Sequence, residues 1–315
     1  MNQSRKITEG AALSAIYLVL MLMTFYLPVI NIVTIFLLPV PFIIYTSRHS
    51  LQPALVMFGT ALILSLIFLS IFSVPLTLLM GIGGIAIGMA IYKNRHAYEA
   101  WAQGTLGFAV GLAILYATTQ FIFDINWTEE FRVVMEDSLA STVQMFEELG
   151  VGTSEEELEG IQATLEELIY LLPTIVVMIG LVFAFLSQWA SYKILNRWKS
   201  ENYFFPPFRE FRLPTSIIWY FLVGIILTWI YTDPGETMYL IANNLYTLPG
   251  LLLVIQGLSF VFYFTHYKKW SKALPIVTVI CFALFPFLLL YPLRILGIID
   301  LGFQLRDRLN GTHRK

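Results

Sequence analysis

The sequence predicts an all-α polytopic membrane protein with about eight to ten transmembrane or re-entrant helices and an acidic helical hairpin outside the cytoplasm. Three observations carry that expectation. The 315 residues are 57% hydrophobic and 13% charged, with a mean hydropathy of +0.73, whereas soluble domains carry about 25% charged residues. Apolar runs near the length of a membrane-spanning helix, about 20 residues, recur along most of the chain. Charge is also segregated. Residues 124–167 hold 13 of the 21 acidic side chains and one base, Arg132, while the rest carries 18 Lys and Arg against 8 Asp and Glu.

The first run, 8–27, follows a short polar N-terminus with Arg5 and Lys6 and ends at Pro28. It lacks a small-residue cleavage site and reads as a retained helix rather than a signal peptide. The second run, 30–45, carries Pro39 and Pro41 and is expected to kink. Arg48 and His49 follow it. Runs 51–71 and 74–92 are separated by Phe72-Ser73-Val74-Pro75, and Lys93, Arg95 and His96 close the pair. Run 101–123 then leads into the acidic segment.

That segment has the pattern of a helical hairpin. Phe131, Val134, Met135, Leu139, Val143 and Phe146 recur at spacings of three and four, one apolar stripe of a helix. Gly150 to Thr153 supplies the turn. Ser154 and Glu157 have capping-box spacing, and Leu158, Ile161, Leu165 and Leu168 continue a second amphipathic helix into the sixth run, 169–195. The two stripes are expected to pack on each other or on the outer membrane surface. A proline-rich basic loop follows, then run 215–231, an outer turn at Asp233-Pro234-Gly235-Glu236, and run 244–264. Lys268, Lys269 and Lys272 end it. In this arrangement 13 of the 14 cationic side chains up to Lys272 fall on one side. Basic residues collect in cytoplasmic loops, so the N-terminus is expected inside and the hairpin outside. The chain thus divides into a six-span half, 1–195, containing the acidic hairpin 124–168; a cytoplasmic loop, 196–214; and a C-terminal membrane half, 215–315, whose last helix is broken.

The last apolar run, 273–293, leaves two alternatives. A straight ninth span puts the tail outside. The interruptions at Pro275, Pro286 and Pro292, with Arg306, Arg308, Arg314 and Lys315 beyond them, favour a broken hairpin that returns. Arg294 and Asp300 are the charges at membrane depth, where charge is costly and usually paired or functional. They are candidate buried polar residues together with Arg306. Asp300 is expected to find a base in Arg294 across a break, or in Arg209 or Arg212.

Other constellations have plainer readings. Gly81, Gly83, Gly84 and Gly88 lack the strand and the Lys-Ser/Thr of a phosphate loop. Gly84/Gly88 and Gly107/Gly111 instead suit close packing of spans four and five. Gly10, Ala11, Ala12 and Ala15 form a small-residue face on the first helix, which suits internal packing or docking of another membrane chain. His49, His96 and His266 read as interfacial. The acidic hairpin lacks a calcium-loop pattern, and Asn126-Trp127-Thr128 reads as a chance sequon. Cys281 is the one cysteine. No catalytic constellation, cofactor site or metal site is evident, and no nucleic-acid partner is implied.

The segments Pro206-Pro207-Phe208-Arg209-Glu210-Phe211-Arg212-Leu213-Pro214 and Leu296-Gly297-Ile298-Ile299-Asp300-Leu301-Gly302-Phe303-Gln304-Leu305-Arg306 resemble signatures of the YybS-like family of bacterial membrane proteins. Leu301 and Gln304 depart from that family's aromatic-rich tail. The resemblance spans essentially the whole chain and implies a bacterial cytoplasmic membrane and no established activity. The first six spans are also similar to the substrate-binding S-components of energy-coupling-factor vitamin transporters, and to the six-helix plan of the cell-shape scaffold MreD. S-components dock their coupling subunit through an alanine face on the first helix, which here implies Ala11 and Ala15. The function expected is therefore a non-enzymatic membrane protein that binds a small solute, as a transport-associated subunit. The alternative is a scaffold that recruits cytoplasmic or cell-envelope partners through Pro207, Arg209 and Arg212. Its partners are the lipid bilayer and another membrane subunit or cytoplasmic protein.

Overall fold

A computed structural model describes residues 3–150, 160–161, 165, 167–199, 202–234 and 236–312. The Ser154/Glu157 capping box, Gly152, Thr153, Leu158, Gly235, Arg314 and Lys315 lie outside the described residues. Among the described residues every regular element is helical. Seven stretches are long and apolar enough to cross a membrane. They comprise α1 (Gln3–Tyr26), the pair α2 (Asn31–Leu37) and α3 (Val40–His49), α4 (Leu51–Phe68), α5 (Ser73–Tyr92), α6 (Ala97–Phe123), α8 (Leu172–Lys199) and α10 (Thr237–Tyr267). The amphipathic α7 (Trp127–Glu148) precedes α8. The shorter C-terminal helices are α9 (Ser216–Ile230), α11 (Ala273–Leu284), α12 (Pro286–Gly302) and α13 (Leu305–Thr312).

Proline punctuates this arrangement for a local reason. It has no N–H to donate, so it is tolerated where a helix starts. Pro39 stands as the N-cap of α3; Leu38 and Pro39 keep helical dihedrals between α2 and α3, so the second span, Asn31–His49, continues in one helical sense with its hydrogen bonding interrupted at the proline. Phe285 (φ −134°, ψ 65°) leaves the helical region and separates α11 from α12, since the residue before a proline is disfavoured in the α conformation.

The chain forms two compact units, one of Met1–Ile169 and Ile175–Phe205, the other of Tyr170–Thr174 and Pro206–Lys315. The first is assembled on glycine seams. Gly107 and Gly111 of α6 face Ala86 and Leu79 of α5, whereas Gly84 and Gly88 turn the other way, onto Pro39, Phe42, Ile43 and Thr46 beside and within α3. The sequence suggested that Gly84 and Gly88 join spans four and five. In the structure Gly83 takes that role, against the Phe108 ring. The reason is helical phase: positions 83 and 84 are about 100° apart on a 3.6-residue helix, so one α5 presents small residues to two neighbours. At the centre Tyr17 is wholly buried, donates to Thr77 Oγ1 at 2.9 Å, and lies 4.8 Å from the Phe42 ring.

Residue pairing fixes the helix directions. Glu9 binds Arg48 and His49, and Gly10 lies under Tyr45, so α1 and α3 are antiparallel. The same logic makes α5 parallel to α3, and α8 antiparallel to α6. Arg5, Lys6, Arg48, Lys93, Arg95, Lys193 and Arg197 therefore gather at one end of this unit. α7 starts at the other end, with Asn126 capping it by accepting from the Thr128 and Glu129 N–H groups. The stripe residues Phe131, Met135, Leu139, Val143 and Phe146 are half-buried and Val134 is exposed.

In the second unit α9 and α10 are antiparallel. Gly224 fits against Leu245 and Tyr246, and Leu213 N–H donates to Gln256 Oε1 at 2.9 Å. α12 runs parallel to α10: Arg294 lies by Gly250, Asp300 by Gln256, Tyr263 bonds Arg306 O and Tyr267 bonds Leu309 O. Gly257 and Gly297 make this approach possible, because a Cβ on either would run into the carbonyl of Leu293 or Leu253. The final chain segment thus returns to the end of the unit that holds the proline-rich loop and Lys268 to Lys272. The run 273–302 is two helices, α11 and α12, parted at Phe285.

Candidate functional site in the C-terminal unit

The second unit contains two buried arginines with different surroundings. Asp300 is 0% and Arg306 5% exposed. Arg306 Nη2 lies 2.8 Å from Asp300 Oδ2, and its Nε donates to the same oxygen at 2.9 Å. The pair is closed on every side. Gln256 Nε2 donates to Asp300 Oδ2 at 2.5 Å. Arg306 Nη1 donates to the carbonyls of Arg209 and Phe211 at 2.8 and 3.1 Å, and Nη2 to Ser259 Oγ at 3.2 Å. Ser259 in turn donates to the Phe208 and Phe211 carbonyls. A buried charge costs several kcal/mol unless paired and hydrogen-bonded; here both conditions are met. The network also fastens the 3-10 turn Phe208–Glu210 to α10.

Asp300 thus takes Arg306 as its base rather than Arg294, Arg209 or Arg212. Six residues do not share a helix face, but the chain turns between α12 and α13, with Gln304 in the left-handed region at φ 49°. That turn folds Arg306 back over Asp300. Arg209 contributes its carbonyl, and exposed Arg212 pairs with Asp307 at 2.7 Å. Arg212 holds the Asp307 carboxyl below its ordinary pKa, chiefly by hydrogen bonding.

Arg294 is 6% exposed and has no carboxylate partner among the described residues. Nη1 donates to Tyr246 Oη at 2.8 Å, and Nε is buried without a hydrogen-bond partner. Three rings surround the guanidinium, with Cζ 5.2, 5.1 and 5.5 Å from the centroids of Phe221, Tyr246 and Tyr291. Gly250 supplies the fourth wall, where a Cβ would meet Arg294 Cζ and Nη2 at 3.0 Å. Cation–π contacts offset part of the desolvation, but they leave the Nε edge of the fork without an acceptor. Planar guanidinium edges of this kind bind carboxylate and phosphate oxygens.

Of the other residues singled out in the sequence, Ala11 and Ala15 are exposed on α1 and Pro207 is exposed on its loop. The sequence reading passed over Gln256, Ser259, Phe221, Tyr246, Tyr291, Gly250 and Asp307. Gln256 and Ser259 had a signal, being polar residues three apart inside an apolar run. The aromatic rings had none, because 15% of the chain is aromatic.

Seven apolar stretches of spanning length define an integral membrane protein in contact with the lipid bilayer. Residues 15–301 match the family described as Predicted membrane protein (DUF2232), and the chain belongs to that family. It is 30% identical over 310 residues to the Uncharacterized protein YybS of Bacillus subtilis (strain 168), across 98% of this chain and 100% of that one. No solved structure matches the chain.

Proposed function

We propose that this is a non-enzymatic protein of the cell membrane that binds a small anionic solute at Arg294. The carrying observation is the buried guanidinium with an unpartnered Nε and, among the described residues, no paired carboxylate. Ionisable groups inside a membrane protein are costly and mark solute or ion sites. A carboxylate or phosphate on the Nε edge would supply the missing acceptor, and the rings would take the apolar body of the solute. The reading rests on Arg294 and not on the likeness of the first six spans to S-components; transport would be a further step. The basic ends are assigned to the cytoplasm and α7 to the outside by the charge rule. An impermeant thiol reagent should label Gln144→Cys in intact cells carrying Cys281→Ser, and labelling only after lysis would reverse the orientation.

The test of binding is mass spectrometry of gently solubilised protein, followed by thermal shifts with a panel of small carboxylates and phosphates. At least one anion should stabilise the wild type and leave Arg294→Gln unmoved. Equal shifts in both proteins would remove the reading. Exposed Pro207 and Arg212, on a loop held rigid by Arg306, favour the second reading, a scaffold. Proteins that co-purify with wild type and are lost with Arg212→Glu, without any bound anion, would support it instead.

A further inference from the structure

A groove of about 650 Å³ opens between α1 and α4 in the first unit. Gln3 and Lys6 line one end, Ile7, Ala11, Val56 and Met57 line its body, and Ser14 lies furthest along α1. Its polar end coincides with the basic end of the unit. Lys6 makes no ion pair among the described residues, because Glu9, one turn on, is taken by Arg48 and His49. Exposed Arg5 adjoins it. Ser14 is 2% exposed and its hydroxyl has no partner. From Gln3 to Ser14 the helix rises about 16 Å, close to half of the roughly 30 Å hydrocarbon thickness of a bilayer. The groove therefore has the depth of one leaflet.

We propose that this groove holds an anionic phospholipid of the leaflet at the basic end, with one acyl chain along Ile7, Ala11, Val56 and Met57 and the phosphate on Lys6. Charge selects the occupant. Free cations at the mouth attract anionic headgroups, and an apolar channel ending within one leaflet suits a chain from that leaflet. A transmembrane helix of a partner would continue past Ser14 along the exposed Ala15 and Val19. Ser14 lies about 12 Å along the helix from Lys6, below the glycerol esters, and its hydroxyl faces the acyl chain.

The experiment is native mass spectrometry of the full chain after exchange into mixed phosphatidylglycerol and phosphatidylcholine nanodiscs. Wild type should retain phosphatidylglycerol in preference to phosphatidylcholine. Ala11→Phe should reduce retained lipid at least fivefold, and Lys6→Glu should abolish the headgroup preference while chains are still retained. Ala12→Phe, on the same helix but outside the groove lining, should behave as wild type and controls for folding. Equal retention in Ala11→Phe and Ala12→Phe would overturn the proposal. So would an unchanged preference in Lys6→Glu, or a co-purified membrane protein lost with Ala11→Phe in place of lipid. Small-anion shifts at Arg294 are read separately and leave this result unaffected.

Discussion

Arg306 and Arg294 lie twelve positions apart in the same unit, are nearly equally buried and both lie over aromatic rings, yet they differ in their polar partners. Arg306 meets a carboxylate, two carbonyls and a hydroxyl, so its charge is neutralised and its donors are used. Arg294 meets three rings and one hydroxyl. The difference teaches how to separate a structural charge from a receptive one. Burial alone does not distinguish them; completeness of the partner set does. A saturated network holds elements together, and an unsaturated one leaves a place for something else.

Four substitutions break or sharpen that contrast, in falling order of effect on stability. Asp300→Leu strands Arg306 in a dry site and should cost about 3–5 kcal/mol, read as a large drop in the thermal midpoint of detergent-solubilised protein. Asp300→Asn, which still accepts hydrogen bonds, should cost less. Gln256→Leu removes both the donor to Asp300 and the acceptor for Leu213 N–H, for about 1.5–3 kcal/mol, and should loosen the proline-rich loop to limited proteolysis. Arg294→Gln should lie within about 1 kcal/mol of wild type or above it, since removing a buried unpaired charge is often neutral or favourable. A loss as large as that of Asp300→Leu would mean that Arg294 is structural after all.

The smallest effect belongs to Arg212→Ala. Asp307 is at the surface, and screening weakens such pairs. Its carboxyl pKa is lowered in the folded chain by Arg212. The pair's contribution is therefore present above the ordinary Asp pKa of about 4 and disappears as pH falls through the lower folded value. The difference in thermal midpoint between wild type and Arg212→Ala should vanish at that acidic limit and in high salt. Persistence there would mean that Arg212 acts through packing.

The sequence by itself determined the class, most of the helices of spanning length and the charge asymmetry. These are local quantities: hydropathy over about 20 residues fixes a helix of spanning length, and proline acts on its own neighbours. The interruptions at Pro39 and at Phe285 before Pro286 were legible for that reason. Asp300, Arg294 and Arg306 were visible as charges in apolar surroundings. What only the tertiary structure decided was which surfaces meet. Arg294, Arg209 and Arg212 were each chemically able to neutralise Asp300. The left-handed turn at Gln304 and the parallel seating of α12 on Gly257 gave that place to Arg306. Gly84 and Gly88 had two possible partners, and the phase of α5 against α3 chose between them. Composition states that a side chain is to be buried or paired, but the partner lies tens of residues away and is selected by helix direction and contact geometry.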